Sequence, residues 1–156
     1  MTRLTLSGLF AALALLLALP AQAQEPQRDA SPQISPVQAS ADGAMADISA
    51  GGADRNSVRG SGCSGYISNA SPVAVVDNAT PGLLSIYVTS TTDTTLLVGD
   101  PDGRTWYCSD DAQGSNPAVS IDGAAVGRYV VWVGTFSPGS AGATARLHAR
   151  NGPPAW

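Results

Sequence analysis

From residue 61 onward, Gly, Pro, Asn and Asp cut the chain into short apolar runs, and no helical apolar period persists for three turns. Runs rich in Val, Ile, Tyr and Trp between such turn formers read as strands. They fall at Cys63–Ile67, Val73–Asp77, Leu83–Thr89, Thr94–Val98, Thr105–Cys108, Ala118–Ile121, Arg128–Gly134 and Ala143–Ala149. Alternation is clearest where Leu84, Ile86 and Val88 share one face. It recurs in Tyr129, Val131 and Val133, and in Ala143, Ala145 and Leu147. Seven or eight strands in about 95 residues predict an all-β fold, an antiparallel, jelly-roll-like β-sandwich over residues 61–150. Residues 151–156 are left as a C-terminal tail.

The part before residue 61 has a different character. Arg3, the apolar run Leu9 to Leu19, Pro20 and the small-x-small site Ala21-Gln22-Ala23 read as a secretory signal peptide over residues 1–23. The apolar run is about half the ~20 residues that span a bilayer, so cleavage and a soluble mature protein are expected. No Cys lies near the cleavage site, which closes the lipoprotein route. Residues 24–60 are Gln, Pro, Ala, Ser, Asp and Gly with almost no large apolar side chains. That composition predicts a disordered tether.

The chain has no Lys, eight Arg and twelve acids, of which only Glu25 is not Asp. Losing Arg3 with the leader shifts the formal charge from −4 to −5. An acidic surface without a basic cluster argues against nucleic acid or an anionic membrane as partner. The two cysteines, Cys63 and Cys108, both lie in the folded part, and an exported protein can oxidise them. A bridge closes a loop of about 46 residues, worth roughly 4 kcal/mol by loop-closure entropy. It places the first strand beside the Trp106–Cys108 strand or directly across the core from it.

Read in order, Thr92-Asp93-Thr94-Thr95-Leu96, Asp100-Pro101-Asp102-Gly103, Trp106-Tyr107-Cys108-Ser109-Asp110-Asp111, Asn116-Pro117 and Gly127-Arg128-Tyr129-Val130-Val131-Trp132-Val133-Gly134 form a succession of motifs. It resembles the bacterial pre-peptidase C-terminal domain, in particular small stand-alone exported relatives with two cysteines. The resemblance covers about residues 61–149. It implies a non-catalytic β-sandwich used for binding, secretion or substrate presentation, here with no protease domain before it. The partner this implies is a periplasmic or extracellular protein or glycan.

Asp100-Pro101-Asp102-Gly103 matches a type I turn closing a hairpin. The acidic loops also suggest Ca²⁺, which takes six to eight oxygen ligands. Asp93, Asp110 and Asp111 are the first candidates, with Asp100, Asp102 and Asn116 second. Some members of the resembled family bind Ca²⁺ through such loops. An EF-hand is excluded, because counting from Asp100 puts Thr105 at the glycine position and Asp111 at the glutamate position. Trp132, Trp106 and Tyr107 are candidate binding aromatics, with core-edge or disulfide packing as the alternative. A small peptidase-like hydrolase would have to use His148, the only histidine. Two sequons, at Asn69 and Asn78, are each followed by a proline.

Overall fold

The computed structural model describes residues 25–58 and 63–156. The signal-peptide reading of residues 1–23 lies outside the described residues. Within them the chain forms strands and no helix: β1 (Val37–Gln38), β2 (Ala44–Ala50), β3 (Asp54–Arg55), β4 (Tyr66–Ile67), β5 (Ala74–Asn78), β6 (Gly82–Ser90), β7 (Thr94–Gly99), β8 (Trp106–Ser109), β9 (Ala118–Ala124), β10 (Gly127–Thr135) and β11 (Ala143–Asn151). The first three were not expected; the other eight overlap the eight runs read from the sequence.

Two sheets face each other. Sheet B runs β2-β11-β6-β9. Sheet A is built on β10, which pairs with β7 on one side and with β5 on the other, β4 taking over beyond β5. β8 extends the β7 side, while β1 and β3 extend β5 and β4. All strand pairs are antiparallel except β1 with β5. The three alternations behave as expected, with Leu84, Ile86, Val88, Tyr129, Val131, Val133, Ala145 and Leu147 all in one core between the sheets. Among the described residues no helix is long and apolar enough to cross a membrane.

The tether reading is overturned for residues 25–58. β2 pairs with β11 over seven rungs, from Ala143↔Ala50 to Ala149↔Ala44. Its Ile48 and Ala50 enter the core while Asp47 and Ser49 are exposed. Alanine buries little surface but sits easily on a ladder whose partner, β11, is itself rich in alanine. Composition alone hides such a strand.

A second apolar cluster lies on the outer face of sheet A. Trp132, Leu97 and Ile67 form it with Val58, and Cys63, Trp106, Cys108 and Val130 pack against it. Cys63 is bridged to Cys108 with their Cα atoms 5.6 Å apart. The bridge is as expected, but the strand placement is not. β4 sits on the far side of β10 and β7 from β8, neither beside it nor across the core. Cys63 precedes β4, so the bridge spans the outer face of sheet A instead.

Replacing Cys63 and Cys108 together by serine is expected to lower the unfolding free energy by about 2–5 kcal/mol in urea denaturation. Tryptophan emission should shift to the red as water reaches Trp132. Unchanged midpoint and emission would mean that this cluster holds without the bridge.

Candidate functional site

The hairpin joining β7 to β8 turns as its sequence dictates. The Gly103 amide donates to the Asp100 carbonyl at 3.3 Å, closing the turn. Asp100 Oδ1 accepts from the Arg104 and Thr105 amides, each at 3.0 Å, and Asp102 Oδ1 accepts from the Arg104 amide at 2.9 Å. Burial opposes the Asp100 charge, but the hydrogen bonds from Thr105 and Arg104 outweigh it and hold its pKa below the ordinary carboxylate value. Pro101 rests on Gly127, where an added Cβ would lie 2.7 Å from the proline and φ is +149°. A side chain at 127 would push the turn off the start of β10.

This turn is a rigid ridge between two clefts. On one side, Tyr107 and Tyr129 floor a cleft of about 400 Å³, rimmed by Asp100, Asp102, Asp122 and Val126. The Tyr129 hydroxyl donates to the Ala125 carbonyl at 3.1 Å, which fixes the ring. Val126 is 57 % exposed, an unusually open apolar side chain at the rim. On the other side, a cleft of about 580 Å³ runs between the turn and residues 28–32, over Val75, Arg128 and Val130. Tyr129 is itself buried, so the carboxylates and the half-buried Tyr107 ring are what this concave surface offers a ligand, to accept hydrogen bonds from hydroxyl or amide groups and to stack on an apolar ring face.

Three expected site residues, Asp100, Asp102 and Tyr107, therefore meet at one end of the sandwich. Asp122 and Val126 escaped the sequence reading, which ended that strand at Ile121. The Asp-Gly pair at 122–123 was the available sign of a turn. Trp132 is not a binding surface. It is 1 % exposed, because the second cluster covers it. Trp106 is half-buried in the same cluster, and Tyr107 packs against the main core.

The Ca²⁺ candidates divide between the two ends. β7 runs from Thr94 to Gly99, so Asp93 and Asp100 stand at its opposite ends. Asp93 shares its end with Asp110 and Asp111. Burial, then the charges of Asp111 and Asp110, raise the Asp93 pKa. Asn116 is there too, but its Oδ1 accepts from the Ser90 amide at 2.9 Å. Among the described residues no three His, Cys, Asp or Glu side chains gather as a metal-holding group. Asp100 and Asp102 are committed to their own turn. The six candidates are thus not brought to one place.

His148 lies on the outer face of sheet B. Its ring stacks on Tyr87 with centroids 4.6 Å apart, and Nε2 is 3.0 Å from Thr89 Oγ1. Trp156 meets the Tyr87 ring edge-on at 4.9 Å, and the Tyr87 hydroxyl donates to the Ala155 carbonyl, so the tail docks on this face. Asp47, the acid of this face nearest along the ladder, is paired with Arg146 at 2.8 Å. Burial, then the Arg146 charge, lower the His148 pKa. Asn78 of the second sequon is buried and bonded to Ala125 and Asn151, closed to modification in the folded chain.

No family model and no curated protein matches the chain. The bridge fits an oxidising compartment.

The lowered His148 pKa has a stability consequence with a definite sign. The unfolded imidazole titrates near 6.5 and takes up its proton before the folded one does as pH falls. Its contribution is thus present above about pH 6.5 and lost as pH falls through the folded value. Urea midpoints measured from pH 8 to pH 5 should fall more steeply for the wild type than for His148→Gln. Parallel curves would show that burial and the Arg146 charge do not disfavour the charged ring.

Proposed function

We propose that the protein is an exported, non-catalytic binding module that recognises a periplasmic or extracellular protein or glycan at the end of the sandwich bearing the Asp100–Gly103 turn. The observation that carries this reading is the Tyr107–Tyr129 cleft, held open beside a turn already satisfied by its own hydrogen bonds. A preformed cleft loses little order when it binds. The half-buried Tyr107 ring and the carboxylates of Asp102 and Asp122 suit a polyhydroxylated ring or a backbone-rich protein loop. The motif order resembling the bacterial pre-peptidase C-terminal domain supports the same role, as does a disulfide suited to an exported protein.

A hydrolase centred on His148 has one observation in its favour, the Thr89 hydroxyl within hydrogen-bond reach of the ring. Against it, the imidazole lies on a sheet face, and Asp47 is engaged by Arg146. Turnover of peptide and ester substrates that disappears in His148→Ala would favour this second reading over the first.

The binding reading is tested with the mature chain on a glycan array and against envelope proteins. A ligand found either way should bind at least tenfold more weakly to Tyr107→Ala and to Asp122→Asn, and normally to Asp111→Asn. Absence of any ligand in both screens, or equal binding by all variants, would contradict it.

A further inference from the structure

The second cleft is walled by a segment that behaves as a bound peptide. Residues 25–36 run along the edge of sheet A. The Gln27 amide donates to the Asn69 carbonyl at 2.9 Å, Gln33 to Pro72 at 3.1 Å and Ile34 to Val73 at 3.2 Å, before β1 joins β5 as a parallel strand. Backbone pairing along a sheet edge, with a pocket for a chosen side chain, is how extended peptides are recognised. The chosen side chain here is Arg28. Its guanidinium carbon lies 3.7 Å from the centroid of the Trp106 ring. Nη1 donates to the Asp100 carbonyl at 3.0 Å, Nη2 to the Thr105 carbonyl at 3.1 Å, and Nη1 is 3.7 Å from Asp100 Oδ1. The floor is Gly99, where a Cβ would stand 2.6 Å from Nη1. Aromatic face, paired carbonyls, carboxylate and missing side chain together are shaped to a planar cation.

The strap has few other fastenings: Pro26 is buried, Ile34 packs half-buried against the core, and no other side chain of residues 25–36 is buried. The strap also leaves its groove partly empty, since the 580 Å³ cleft opens between residues 28–32 and the turn. Few buried contacts and an open flank mark a segment that opens locally at low cost. If Arg28 withdraws, Asp100 loses its ion-pair partner, and the vacated groove of an acidic protein becomes more attractive to a positive residue.

We propose that the Trp106–Gly99–Asp100 pocket is a recognition site for the arginine of an extended peptide from another protein, closed in the resting chain by Arg28 as its own ligand. This goes beyond the Tyr107–Tyr129 reading and does not depend on it. The probe is a fluorescent peptide with the sequence of residues 25–36, titrated against the full mature chain by polarisation. Arg28→Ala should bind it at least tenfold more tightly than wild type, because the competing latch is gone. Citrulline in place of the peptide's arginine should remove that gain, and so should Gly99→Ala added to Arg28→Ala. Tyr107→Ala added to Arg28→Ala should leave it intact, which separates this site from the cleft across the turn. In a second measurement, methylguanidinium should raise the melting temperature of Arg28→Ala by at least ~1 °C over equimolar methylammonium. Equal peptide binding by wild type and Arg28→Ala, equal binding of the arginine and citrulline peptides, or equal melting in the two cations would each overturn the proposal.

Discussion

Trp132, Leu97 and Cys108 lie side by side on one row of sheet A, each facing away from the core between the sheets. Their neighbours Val131 and Val133 face inward, so the middle of β10 is apolar on both sides. A sandwich sheet usually leaves its outer face wet, and this one cannot. Fully burying a large apolar side chain is worth about 1.5–3 kcal/mol, which would be forfeited if the row stood open. Cover comes from Val58 and Cys63 on one flank and from Trp106, itself under Arg28, on the other. The disulfide fixes the first flank to β8, and Gly99 makes room for the second.

That requirement also determines which surfaces are open to partners. The aromatic residues that first suggest binding, Trp132 and Trp106, serve as core and cover. The outer face of sheet B is occupied in its middle by the His148–Tyr87–Trp156 stack. Concave surface remains on both sides of the Asp100–Gly103 turn, and a shallower cleft lies among Thr89, Thr91, Asn116 and Arg146. The turn is rigid because Oδ1 of Asp100 and Oδ1 of Asp102 are bonded to its own amides.

The eight later strands were legible because β-branched and aromatic runs between turn formers leave no other reading. The disulfide was legible from two cysteines and an exported context, although its path over the outer face was not. β2 was hidden by its alanines, since its pairing with β11 rests on a seven-rung backbone ladder rather than on large side chains. Yet the outer cover had a sequence sign. Val130-Val131-Trp132-Val133 is apolar at every position, the mark of a strand buried on both faces. Arg28 could not be found from local pattern, since its pocket is assembled from Gly99, Trp106 and two carbonyls seventy or more positions away.

The central claim is that residues 25–58 are part of the fold. Hydrogen–deuterium exchange of the mature protein tests it most directly, because a tether and a paired segment differ by orders of magnitude in amide protection. The amides of Ile34, Ala39 and the alternate β2 residues bonded to β11 should exchange at least ~100-fold more slowly than an unstructured chain. Exchange at unstructured rates throughout residues 25–50 would contradict the account, and would leave Trp106 without Arg28 above it.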